Sequence, residues 1–227
     1  MTTRRPPAAQ ARVAADEIAN AIIQGTGTLL AIAGLVVLVI MAARQGGALP
    51  VTASAIYGAT LVLAFLMSTL YHATWHTRIK RFFQTADHCT IYALIAGTYT
   101  PIALLVLQGT VGWVLTAIVW AIALVGVSLR ILFSRRFRAL RVVLYIAMGW
   151  LILLWGQSLA ERLGLNGTVL LVAGGLAYTL GVVFYKWNRL PFNRPIWHLF
   201  VVAGSTCHFI AIAVYALPLS ALPLTAS

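Results

Sequence analysis

Histidine, serine and carboxylate side chains recur in this chain at spacings suited to holding a metal ion or moving a proton. The segment Ser68-Thr69-Leu70-Tyr71-His72-Ala73-Thr74-Trp75-His76 places Ser68, His72 and His76 at i, i+4 and i+8. On one helix these three project from a single face, one turn apart. Two histidines at i, i+4 can share a divalent ion, and imidazole suits zinc. The competing reading of His76, beside the charged run Arg78, Lys80 and Arg81, is an interfacial histidine bonded to a loop carbonyl. Asp87-His88 and Trp197-His198 add a carboxylate and further imidazoles, while Glu17, Asn20 and Gln24 line the start of a long apolar stretch.

The elements that must position these groups are dictated by composition. Of 227 residues, 61% are hydrophobic and only 9% are charged, against about 25% charged in an average soluble domain. A water-soluble fold of this size cannot hide that much apolar surface, so the solvent is lipid. Disorder, collagen-like repeats and a disulfide-stapled secreted fold are excluded, the last because there are only two cysteines. The charged residues separate stretches long enough for helices of roughly 20 residues to cross a bilayer. The expected fold is all-α, a polytopic bundle of seven transmembrane helices spanning approximately 18–43, 50–76, 87–107, 111–133, 141–160, 165–186 and 196–218. These make a membrane domain of residues 17–218, with an N-terminal tail 1–16 and a C-terminal tail 219–227. The uncharged run after His88 is too long for one helix and divides at Gln108-Gly109-Thr110. The first apolar run exceeds a signal-peptide core and reads as a retained span. Alternation of the β-barrel kind is absent.

Lys and Arg set the orientation. The N-terminal tail and the loops after the second, fourth and sixth spans carry 14 of them, and the opposite side carries Arg44 and Arg162 alone. Positive residues stay in the cytoplasm, so the N-terminus is expected inside and the C-terminus outside a cell membrane crossed several times. The net charge of +12 is then a topology signal rather than a nucleic-acid footprint, and the expected partners are membrane lipids. The polar residues named above converge at the cytoplasmic end of the bundle. Asp87 is expected to be the only carboxylate within the helical core, where it needs a cationic partner or a metal. His208 lies ten residues past His198, roughly 15 Å deeper at 1.5 Å per residue, and reads as a hydrogen-bonded interior histidine. Cys89 and Cys207 read as buried free thiols, and Pro101 as a kink.

At these residues the sequence resembles the hemolysin III family, the bacterial branch of the progestin and adipoQ (adiponectin) receptor superfamily. The matching segments are Glu17-Ile18-Ala19-Asn20, Ser68-Thr69-Leu70-Tyr71-His72, Asp87-His88 with Ile91-Tyr92, Ala96-Gly97-Thr98-Tyr99-Thr100-Pro101, and Ile196-Trp197-His198-Leu199-Phe200-Val201. The resemblance implies seven helices with a cytoplasmic N-terminus. It also implies a zinc ion held by one histidine of the second helix and two of the seventh, with a serine and an aspartate around a metal-bound water. By position these are His72, His198, Ser68 and Asp87. Two departures stand out: Arg194 occupies the place of the other seventh-helix histidine, and Gln24 replaces a first-helix histidine. Two arrangements follow. In one, zinc stays and His76 replaces the missing ligand. In the other, the Arg194 guanidinium pairs with Asp87 and no metal is needed; arginine does not lose a proton to become a ligand. As an enzyme, such a protein would hydrolyse a lipid amide or ester, with Asp87 as general base and Ser68 orienting water or steadying the oxyanion. The other readings are a non-enzymatic sensor or regulator of bilayer properties, and a pore-forming, cytolysin-like protein.

Overall fold

The structure is a computed structural model that describes residues 7–133 and 138–221. Arg4, Arg5, Arg135 and Arg136 of the orientation count lie outside the described residues, as do the chain's last six residues. The described chain is helical, with no strand. The helices are α1 Pro7–Gln45, α2 Ala48–Ala73, α3 Thr77–Pro101, α4 Gly109–Leu132, α5 Arg138–Trp150, α6 Gly156–Lys186 and α7 Asn193–Ile210. Short π and 3-10 segments extend α3 (Ile102–Leu107), join α5 to α6 (Leu151–Trp155) and prolong α7 (Ala211–Ala216, Leu217–Ala221). Nearly three quarters (72%) of the most apolar window of α3 is buried, against 28% for α1 and α4, so α3 is the central helix. Large apolar side chains such as Leu29, Leu154 and Leu165 stand exposed around the outside, the surface expected of a bundle whose solvent is lipid.

Six described helical runs are long and apolar enough to cross a membrane, where the sequence predicts seven. The difference lies in Leu140–Lys186, a single run of 47 residues. Within it Gly164 adopts φ 67°, ψ 178°, a left-handed conformation open to glycine but not to helix. Helix limits also shift from expectation. Residues 7–16, expected as a tail, are helical. α2 stops at Ala73 rather than at His76, and α3 starts at Thr77 rather than at Asp87. The reason for the second shift is the pattern Ile79, Phe82, Phe83, apolar at i, i+3 and i+4 within a charged run.

Pro101 ends regular α-geometry in α3, as its missing N–H requires, and the chain continues as a π-helix. Freed backbone groups in lipid must find partners, and side chains supply them. Arg162 Nη1 donates to the Val106 carbonyl at 2.8 Å. Where α5 breaks, the Tyr99 hydroxyl donates to the Met148 carbonyl at 2.8 Å and accepts from the Ile152 N–H at 2.8 Å. These bonds occupy backbone groups freed where the regular helices break.

Candidate functional site

α1, α2 and α7 bring four polar side chains into one buried chain of hydrogen bonds. His72 on α2 donates from Nδ1 to Glu17 Oε2 on α1 at 2.9 Å. His72 Nε2 faces His198 Nε2 of α7 at 3.1 Å, with the two rings edge-on, 80° between their planes. Gln24 on α1 closes the series through its Nε2 and His198 Nδ1. One set of protons satisfies every partner: the Gln24 amide donates to His198 Nδ1, His198 Nε2–H to His72 Nε2, and His72 Nδ1–H to the Glu17 carboxylate. Every ring nitrogen of the two imidazoles has a partner in this arrangement. Glu17, Gln24, His72 and His198 are all buried. α1 supplies both ends because Glu17 and Gln24 are i, i+7, two turns apart on one face.

Asn20 stands on that face between them, fully buried, with neither its amide oxygen nor its nitrogen bonded to any described residue. Ser68 is one turn before His72 on α2, and its Oγ is likewise buried without a partner in good geometry. The Asp87 carboxyl of α3 lies close enough to interact with Ser68 and with His198. Its ion-pair contact is His88 Nδ1 at 3.2 Å, and that ring also donates to the Gln84 carbonyl at 2.7 Å. Orphaned buried polar atoms beside an imidazole pair mark a place where water, an ion or a substrate group completes the bonding.

Several expectations change here. His76 does not share a face with His72, because α2 has already ended; it is exposed at the start of α3. The structure therefore does not bring it to the histidine pair. Arg194 is exposed on the first turn of α7 and makes no ion pair with Asp87. Nor is Asp87 alone in the core, since Glu17 is buried too. Sequence reasoning missed Lys80, which it left in a loop. Lys80 Nζ donates to Glu17 Oε2 at 3.0 Å and to the carbonyls of Tyr71 and Thr74, each at 3.2 Å. It neutralises the carboxylate and caps the end of α2 at once. The apolar spacing of Ile79, Phe82 and Phe83 was the available signal, since it puts Lys80 on the first turn of a helix.

The donor set can be tested against a zinc ion. Two imidazole ligands about 2.0–2.1 Å from a tetrahedral zinc sit only slightly farther apart than the 3.1 Å between His72 Nε2 and His198 Nε2. Glu17 behind His72 is the carboxylate that commonly orients a metal-binding histidine. The pair and the orphaned Ser68 and Asn20 groups fit a metal held by two histidines. Among the described residues no third His, Cys, Asp or Glu joins them to make a three-ligand set.

Comparison with known proteins matches most of the chain. The Haemolysin-III related family profile matches residues 13–209. Hemolysin-3 of Bacillus cereus is 45% identical over 203 residues, covering 89% of this chain and 93% of its own. The Hemolysin-3 homolog of Bacillus subtilis (strain 168) is 43% identical over 200 residues, covering 88% and 94%. Monocyte to macrophage differentiation factor of Homo sapiens is 33% identical over 166 residues, covering 70% and 68%. The matched segment runs from the helix of Glu17 through His72 and Asp87 to His198, and this chain belongs to the Haemolysin-III related family.

Proposed function

We propose that this protein is a membrane-embedded hydrolase of a lipid amide or ester, with a zinc ion held by His72 and His198. The observation that carries the reading is the meeting of two buried imidazole nitrogens at 3.1 Å, backed by a carboxylate on one side and a carboxamide on the other. Glu17 holds the His72 proton on Nδ1 and so turns the Nε2 lone pair inward. Gln24 does the same for His198 when its amide oxygen, in place of its nitrogen, meets Nδ1, an exchange that leaves the heavy atoms in position. The ion, when bound, would lower the pKa of a coordinated water toward ~7. Asp87 would accept the proton of the attacking water, and Ser68 Oγ–H would donate to the oxygen on which charge develops. Lys80 keeps Glu17 ionised and the cluster closed toward the chain's basic end.

The same reading sets the topology. Breaking Leu140–Lys186 at Gly164 gives two pieces that each reach the roughly 20 residues of a span, so the bundle has seven spans. The Lys and Arg asymmetry then puts the N-terminus and the site in the cytoplasmic half of a cell membrane. Lipid substrates enter from the surrounding bilayer.

Metal analysis of detergent-purified protein is the first test, with close to one zinc per chain expected. Release of fatty acid from a ceramide-like lipid is the second. It should be abolished by Asp87→Asn while zinc is retained. Metal-free wild-type protein, or lipid turnover indifferent to Asp87→Asn, would end the proposal.

A further inference from the structure

A second feature lies on the outer side of Lys80. An open groove at the surface is lined by Tyr71, Thr77, Lys80, Arg81 and Gln84. Every one of these side chains can donate a hydrogen bond, and none is acidic. Arg81 is exposed and enters no ion pair among the described residues. Tyr71, only 8% exposed, accepts from Gln84 Nε2 at 3.0 Å. Its own hydroxyl proton is bonded to no described acceptor, and both Tyr71 and Gln84 line this groove. No side chain caps the start of α3, and its first backbone bond runs from Lys80 N to His76 O at 2.8 Å. The N–H groups of Thr77, Arg78 and Ile79 therefore stand free at the same end. Lys80 has spent its three donors on Glu17 and two carbonyls, so it offers no free N–H.

A concave group of unspent donors with a net positive charge is complementary to a phosphate. Its surroundings say where that phosphate sits. Trp75, Ile79 and Phe82 are 61%, 48% and 66% exposed around the same helix start. Aromatic and branched side chains beside arginines are typical of the layer between headgroups and acyl chains. We propose that the pocket of Tyr71, Thr77, Arg81 and Gln84 binds a phosphate group, carried by the headgroup of an anionic phospholipid. Arg81 grips the phosphate oxygens, Tyr71 O–H and Thr77 O–H donate beside it, and Lys80, paired with Glu17, forms the back of the groove. Lys80 also touches Glu17, so an occupied pocket would pull on the carboxylate that orients His72. That link rests on the zinc reading above; the binding of phosphate does not.

The test uses the purified full chain in neutral detergent, titrated with phosphatidylglycerol, phosphatidylcholine or inorganic phosphate while thermal unfolding is followed. Phosphatidylglycerol should raise the melting temperature saturably, and phosphatidylcholine should not. Arg81→Gln should weaken that binding about five- to tenfold. Tyr71→Phe should weaken it less, and Arg78→Gln, which alters a neighbouring arginine that does not line the groove, should be nearly silent. Inorganic phosphate that reproduces the shift and fails on Arg81→Gln supports the same pocket with a soluble phosphate as its source. Equal shifts from both lipids, or equal losses in Arg81→Gln and Arg78→Gln, would mean diffuse attraction and would overturn the pocket. Zinc content measured in the same samples separates a failure of this proposal from a failure of the metal site.

Discussion

His72 and His198 meet near one end of the bundle, whereas His208, on the same helix as His198, lies ten residues further along. The two places use imidazole differently. His208 donates from Nε2 to the Leu171 carbonyl at 3.1 Å, and its ring packs against Gly174, where any Cβ would lie 2.3 Å away. Both contacts are with α6, so His208 ties α7 to α6. His72 and His198 instead spend their nitrogens on each other and on side chains from α1. Burial alone does not mark a histidine for chemistry. What marks it is a second ionisable group aimed at its far nitrogen, with unsatisfied polar atoms such as Ser68 Oγ alongside.

The largest contrast should appear in metal content. His72→Ala and His198→Ala should each remove zinc from purified protein, while His208→Ala should leave the stoichiometry unchanged although it loosens the α6–α7 contact. Zinc lost on His208→Ala and kept on His72→Ala would exchange the two roles. Glu17→Gln comes next. It keeps the shape of the side chain but cannot hold His72 Nδ1–H as a carboxylate does, and it strands the Lys80 charge. Loss of such an outer partner typically lowers metal affinity about 10–100-fold, measurable by competition with a chelating dye.

Stability sharpens the same contrast on a finer scale. Measured against zinc-loaded wild type, the double mutant His72→Ala/His198→Ala should show a coupling of about 0.5–3 kcal/mol, because either single change already empties the shared site. The pair His72→Ala/His208→Ala should be additive to within about 0.5 kcal/mol, since the two residues share no partner. Thermal unfolding of the single and double variants reads both numbers. Additivity in the first pair would dissolve the site into two independent histidines.

Much of this was legible in the residues, for physical reasons that also mark where reading fails. Apolar runs bounded by charge reveal helices that cross lipid, because hydrocarbon forbids unpaired backbone and charge alike. Ser68, His72, Asp87 and His198 were identifiable as rare polar groups in such runs. Helix ends were not, because caps and amphipathic interfacial turns look like loops in a hydropathy profile. That is why Lys80 was left in a loop and His76 was stacked on a helix that stops at Ala73. The spans expected at 141–160 and 165–186 form one helical run for a related reason: the single non-helical residue Gly164 is too brief to end it. Glu17 was read as lining the start of a span, and only the packing of α1 on α2 places it behind His72.

Arg194 gives the smallest effect and the most discriminating one. It lies one turn before His198 on α7, where the resemblance calls for a second histidine, yet the guanidinium is exposed and unpaired with Asp87. Were it the cation that replaces a metal, Arg194→Ala would leave a buried carboxylate alone, at a cost of about 3–5 kcal/mol. With Asp87 already in contact with His88, the expected cost is that of an ordinary surface change, within about 0.5 kcal/mol. Arg194→His points the other way. It adds a neutral imidazole at i−4 from His198, on the same face and within reach of the same ion. Zinc should then be retained or bound more tightly, because a third ligand joins two already oriented. A large loss of stability in Arg194→Ala together with unchanged zinc affinity in Arg194→His would show that this arginine, rather than His88, is the true partner of Asp87.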